Sequence, residues 1–122
     1  LIPASDTTPS GLARATSIEK SGVLLGGDIN VIRPSVHING SCMSLALNAN
    51  KHELVRLIKG TTVKHIYNSD IKDIYICLPK SKNEQDKIVF LFKEHDNLIT
   101  LHQQKLEHLN NLKKYFLNNM FI

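Results

Sequence analysis

The feature that most constrains the fold is a long stretch near the C-terminal end that contains neither glycine nor proline. Between Glu84 and Met120, large apolar residues recur in steps of three and four, which is the spacing of one face of an α-helix. The recurring positions are Ile88, Phe92, Ile99, Leu106, Leu109, Phe116 and Met120, with His95 and His102 on the same face. We therefore predict one helix over residues 84–120.

This helix is predicted to need a partner. About 37 residues that rise 1.5 Å each give a rod of roughly 55 Å, whereas a domain of about 80 residues is only about 25 Å across. No other segment has comparable length, so alone the helix would leave its apolar side chains in water. We predict a parallel or antiparallel helix pair with another chain, through Ile88, Phe92, His95, Ile99, His102, Leu106, Leu109 and Phe116.

The preceding part of the chain has a different composition. Residues 1–79 contain all six glycines and all four prolines, so we predict one domain over 1–79 and a helical region over 80–122. Short apolar runs bounded by turn residues predict strands at 1–4, 22–25, 28–33, 63–67 and 73–78.

Helical spacing predicts one broken helix or two short ones across residues 41–59, and Ser69 with Asp70 is expected to cap a single turn. The predicted class is α+β: a small, irregular mixed α/β domain followed by one long C-terminal helix that pairs as a coiled coil.

Motifs for catalysis and metal binding are missing from the sequence. It contains no GxGxxG, GxxxxGK[ST], HExxH or GxSxG, and no Asn/Asp-Pro-Pro-aromatic motif of amino-methyltransferases. The spacing of Cys42 and Cys77 does not fit a zinc site, and His95 and His102 would lie about 10 Å apart on a helix. We predict a chain without catalytic residues, metal or cofactor.

The charge balance is mildly basic, with a formal net charge of +4, so a nucleic-acid partner has to be sought in local clusters. The clearest cluster is Lys59, Gly60, Thr61, Thr62, Lys64 and His65, which offers cations, hydroxyls, backbone amides and an imidazole in one loop. A second is Ser5, Thr7 and Thr8 together with Arg14. The alternative for both is an ordinary solvated loop.

Beyond these patterns, the sequence resembles the C-terminal part of a specificity subunit of a type I restriction-modification enzyme. The resemblance covers part of one target recognition domain and the spacer helix after it. It rests on SDIKDIYICLP at 69–79, EQDKI at 84–88, DNLI at 96–99 and KLEHLNNLKKYFLNNMF at 105–121, and more loosely on KGTT at 59–62. Recognition domains of this family begin further upstream, so the domain in this chain is expected to be incomplete at its N-terminus.

The resemblance implies a division of labour. Recognition domains grip double-stranded DNA and read the two halves of a split target, while the helices set the distance between the halves and dock the methyltransferase subunits. Those modification subunits bring S-adenosylmethionine, and separate restriction subunits use ATP and Mg. Because the second spacer helix is missing here, two copies are expected to pair as a homodimer.

Two other functions remain open from the sequence. The chain could be a structural coiled-coil adaptor without DNA binding, or a small dimeric transcription regulator, although it lacks helix-turn-helix spacing. No apolar run approaches the roughly 20 residues of a membrane span, so a cytoplasmic protein without a membrane partner is expected.

Overall fold

The computed structural model describes residues 1–121, and the chain divides into two compact units, Leu1–Val89 and the part from Phe90 onward. The elements in chain order are β1 (Ile2–Pro3), β2 (Ser5–Asp6), α1 (Pro9–Leu12), β3 (Ile29–Asn30), α2 (Gly40–Ala49), α3 (Lys51–Arg56), β4 (Lys64–His65), α4 (Asn68–Ile71) and α5 (Lys82–Met120). Short strands, short helices and one long C-terminal helix confirm the predicted class.

Two antiparallel sheets of two strands each connect distant parts of the first unit. In one sheet β1 pairs with β3, and in the other β2 pairs with β4. Ala4, between β1 and β2, donates its N–H to the Asp28 carbonyl and accepts from the Ile66 N–H. A single extended N-terminal segment therefore holds both sheets together.

The core of the first unit collects one or two side chains from most of its elements. Ile2, Leu12, Leu54 and Ile66 are fully buried, and each contributes roughly 1.5–3 kcal/mol by leaving water. Ala13, Leu47 and Ile71 complete the buried cluster, and Met43, Ile74 and Ile76 pack against it.

Side-chain amides hold irregular segments where strand pairing is short. Asn30 is buried, and its Nδ2 donates to the Ile66 carbonyl at 2.9 Å. Asn48 on α2 accepts from the Ala15 N–H at 2.9 Å and donates to the Ala15 carbonyl at 2.8 Å. These amides satisfy buried and part-buried backbone groups that would otherwise be satisfied by the hydrogen bonds of a longer sheet.

Two of the predicted strands are wrong. Residues 22–25 form a loop in which Gly22 has a φ of +74° and Leu24 is 96% exposed. Residues 73–78 do show the alternation of a strand, because Ile74 and Ile76 pack on the core while Tyr75 is 92% exposed. Neither segment has a ladder partner within residues 1–121, and a strand requires one.

The other predicted elements are present with changed bounds. The strands predicted at 1–4, 28–33 and 63–67 shrink to β1, β3 and β4, of two residues each. Helices α2 and α3 confirm the two short helices, and α4 confirms the single turn, although its N-cap is Tyr67 and Ser69 lies inside it. Helix α1 was not predicted, and its N-cap Thr8 with Pro9 at the first position explains why it forms.

Helix α5 confirms the long C-terminal helix, with 39 residues from Lys82 to Met120. Its buried residues are Gln85 and Val89, and every described residue from Phe90 to Phe121 is exposed. Leu106, Leu109 and Phe116 are 60%, 51% and 48% exposed. The pairing of this helix and the functional boundary at residue 79 stay predictions. None of the helices described has the length and apolar character for crossing a bilayer.

Candidate nucleic-acid interface

The sheet of β2 and β4 joins the two polar clusters predicted from the sequence. Ser5 lies opposite His65 and Asp6 lies opposite Lys64. Thr7 and Thr8 follow Asp6 directly, and α1 packs against both strands. We call residues 5–8 and 59–65 together the β2–β4 surface. This pair of strands therefore brings together Ser5 and His65, which are 60 positions apart in the sequence.

The loop of residues 59–65 is closed by its own backbone. The Lys59 N–H donates to the His65 carbonyl at 2.9 Å, and the His65 N–H donates to the Lys59 carbonyl at 2.7 Å. Gly60 has a φ of +104°, and a Cβ there would lie 2.3 Å from the Val63 carbonyl oxygen. The loop therefore needs glycine at this position, and it leaves Thr61 and Thr62 exposed to solvent.

The two lysines of the loop have partners within the first unit. The Lys64 ammonium donates to the Thr61 carbonyl at 2.8 Å, and this hydrogen bond bridges two positions within the loop. The Lys59 ammonium lies 2.6 Å from the Asp70 carboxylate and 5.8 Å from the centre of the Tyr67 ring. Both cations thus have preferred positions before any ligand arrives.

Tyr67 and Asp70 belong to this site, although the sequence reasoning left them out. The Tyr67 ring is half exposed and stacks on His65 with ring centres 6.0 Å apart. Its spacing of two from His65 is a signal that could have identified it, since residues i and i+2 of a strand share a face. Asp70 gives no such signal, because only the fold brings it to Lys59. An exposed aromatic ring beside a cation and an imidazole offers an apolar surface for contact with base edges in a groove of the duplex.

Asp6 organises the other half of the β2–β4 surface. Its carboxylate accepts from the Thr8 N–H at 2.9 Å, from the Thr8 hydroxyl at 3.2 Å and from the Thr7 hydroxyl at 3.5 Å. The hydrogen bond from the Thr8 backbone is the main reason that the pKa of Asp6 is below its ordinary value, and the positive charge of Arg14 adds to it. Thr8 in turn accepts from the Gly11 N–H and caps α1.

We expect Asp6→Asn to lower the melting temperature at pH 7, and we expect this deficit to shrink in acid. Because the folded pKa is depressed, the stabilisation is present above the unfolded pKa and is lost as the pH falls through the folded pKa. Thermal melts from about pH 7 to about pH 3 measure it. Asp73→Asn, at an exposed turn, controls for net charge. A deficit that stays constant across this range would contradict the role given to the carboxylate.

Arg14 and the predicted helix-pairing residues lie outside the β2–β4 surface. Arg14 is exposed and lines a small cavity of about 290 Å³ with Pro3 and Ile29. Ile88 is half-buried within the first unit, whereas the other pairing positions are exposed residues of α5: Phe92, His95, Ile99, His102, Leu106, Leu109 and Phe116. Across the described part of the chain, no group of three or more His, Cys, Asp or Glu residues could hold a metal ion.

Comparisons with known proteins identify the family of this chain. No curated protein and no solved structure matches the sequence. The family model described as the type I restriction modification DNA specificity domain matches residues 11–111, which includes the loop of residues 59–65 and most of α5. Domains of this family recognise DNA sequence in type I restriction-modification systems and are not catalytic themselves. Because the match covers 101 of the 122 residues, the chain belongs to the type I restriction modification DNA specificity domain family.

Proposed function

We propose that this chain reads one half of a split DNA target with the β2–β4 surface. The observation that carries the proposal is the closed loop of residues 59–65, which presents two exposed threonines and Lys64, with the Tyr67 ring stacked on its His65. Hydroxyls and cations of this kind position a protein on phosphates, and hydroxyls and apolar side chains contact base edges in the grooves. A loop with a fixed backbone makes these contacts at a lower entropic cost than a mobile loop.

Two carboxylates, one on the β2–β4 surface and one beside it, favour selective binding over binding to any duplex. Asp6 lies opposite Lys64, and Asp70 holds the Lys59 ammonium at 2.6 Å. Each carboxylate repels phosphate and reduces the attraction that the neighbouring cation exerts on the DNA backbone. A mildly basic domain of this kind depends on base contacts and not on charge alone for its affinity.

The second part of the proposal concerns α5, which pairs with the same helix of another copy and sets the distance between two recognition domains. Thirty-nine residues span about 58 Å, and the apolar face carries Phe92, Ile99, Leu106, Leu109 and Phe116, each roughly half exposed. A twofold pair buries the same face of both copies. Methyltransferase subunits then dock on the paired helices and supply S-adenosylmethionine, and restriction subunits bring ATP and Mg.

The test of DNA contact is the salt dependence of duplex binding by Lys64→Ala. A mixed-sequence duplex suffices, since the phosphate term does not depend on sequence. We expect binding several-fold weaker than wild type, and a plot of log K against log salt that is shallower by about one unit. Lys20→Ala removes an exposed lysine outside the β2–β4 surface and should keep the wild-type slope.

An unchanged slope for Lys64→Ala would remove this residue from the DNA contact. A wild-type chain that binds no duplex at any salt concentration would favour the structural coiled-coil module in place of a DNA reader.

A further inference from the structure

The start of α5 lies in the first unit and is held there by a buried glutamine. Gln85 is only 2% exposed, although the residues around it on this helix are mostly in water. Its Oε1 accepts from the Asn39 N–H at 2.7 Å, and its Nε2 donates to the Pro79 carbonyl at 2.8 Å. Burying an amide is costly unless it is hydrogen-bonded, and here both of its polar atoms are.

Asn39 connects this attachment to α2. Its Oδ1 caps α2 by accepting from the N–H groups of Ser41 and Cys42 at 2.8 and 3.1 Å. Its Nδ2 donates to the Asp86 carboxylate at 2.6 Å. The same residue therefore starts α2 and holds the first turns of α5.

A further hydrogen bond joins the same segments, because the Lys82 ammonium donates to the Val36 carbonyl at 2.9 Å. We call the segment Val36 to Asn39, with Lys82, Gln85 and Asp86, the α5 joint. Among the described residues of α5, Val89 is the one buried apolar side chain, and Ile88 beside it is half-buried. Apolar contacts are non-directional, so these two side chains alone fix the rotation of a helix poorly. Hydrogen bonds have narrow geometry, so these bonds favour one register of residues 82–86 against residues 36–39.

We propose that the α5 joint is a positioning device for DNA reading, which restricts the complex to one spacing between the two half-sites. The inference rests on the proposed function, in which α5 links two recognition domains. A joint with one arrangement permits one placement of each domain on the duplex. A loosened joint permits neighbouring spacings as well.

The variant Asn39→Asp tests the joint without removing the cap of α2. A carboxylate at position 39 still accepts from the Ser41 and Cys42 amides. It has no hydrogen to donate to Asp86, so two carboxylates face each other where a 2.6 Å hydrogen bond was. Adding Asp86→Asn restores one donor and one acceptor with the roles exchanged. The double variant should therefore recover the wild-type behaviour.

The readout is a map of methylated sites in cells that also carry the modification subunits. Wild type is expected to methylate split sites of one spacing. In Asn39→Asp, the proportion of methylated sites with a spacing one base pair shorter or longer should rise about fivefold or more, and the double variant should reverse the rise. A purely structural role would lower methylation at all spacings together and leave this proportion unchanged.

A second pair of variants makes the test independent of the charge change. Gln85→Met removes the buried amide and should also broaden the spacing, whereas Gln104→Met, on the exposed part of α5, should not. Unchanged proportions in both Asn39→Asp and Gln85→Met would overturn the inference.

If the wild-type chain supports methylation of no split site, the proposed function fails. Amide hydrogen exchange then tests separately whether the α5 joint holds the start of α5 in place. Asn39→Asp should then speed amide exchange in residues 82–89 at least several-fold, and unchanged exchange would overturn the joint itself.

Discussion

Replacing Gly60 with alanine should destabilise the first unit by about 3 kcal/mol and abolish duplex binding. The backbone at a φ of +104° is strained for any residue with a Cβ, at a cost on the order of 1–3 kcal/mol. The added Cβ would also lie 2.3 Å from a backbone oxygen, that of Val63, so the main chain has to move. This movement opens the Lys59–His65 pair and reaches β4 and the buried Ile66 next to it.

Urea unfolding of the full chain measures this effect. Gly26→Ala is the matched control, because Gly26 has no atom near the position of a Cβ and its φ lies outside the left-handed region. We expect the control to stay within about 0.5 kcal/mol of wild type. Equal stabilities for the two variants would show that the loop of residues 59–65 does not have the backbone described here.

The second large effect concerns the helix pair. The double variant Leu106→Asp with Leu109→Asp should convert a homodimer into a monomer. Both copies carry the changes, so four leucines leave the interface, and each contributes about 1.5–3 kcal/mol when buried. Four carboxylates in an apolar contact add a further cost. The dissociation constant should therefore rise by a factor of about 10⁴ or more, while the first unit stays folded.

Sedimentation at a fixed protein concentration distinguishes the outcomes. The control is Gln104→Asp with Asn111→Asp, which adds the same charge at two positions on the opposite side of the helix, as judged by the 3.6-residue period. The control should remain a dimer. A dimer mass for the leucine variant would show that Leu106 and Leu109 lie outside the interface.

Elements that depend on local signals were predictable from the sequence. Apolar residues that recur in steps of three and four predicted α5, and the same spacing predicted α2 and α3. Strands were harder, because a strand exists only with a neighbour. Residues 73–78 alternate as a strand does but lack a ladder partner among residues 1–121, whereas β2 was not predicted and pairs with β4.

The candidate site, too, could be predicted only where its residues are adjacent in the sequence. The loop of residues 59–65 could be identified because its glycine, threonines and lysines are adjacent in the sequence. Its connection to Ser5 and Asp6 could not, since it depends on the register of β2 and β4. Gln85 was noted only as part of a motif, because its partner Asn39 lies 46 positions away. Contacts of this kind depend on tertiary packing and produce no periodic pattern in the sequence.

The most direct test of the whole account is a map of methylated DNA in cells that contain this chain and the modification subunits but no other specificity subunit. Two identical chains related by a twofold axis should read two identical half-sites in inverted orientation, separated by one fixed spacing. Methylation of a single uninterrupted site, or no methylation that depends on this chain, would contradict the account.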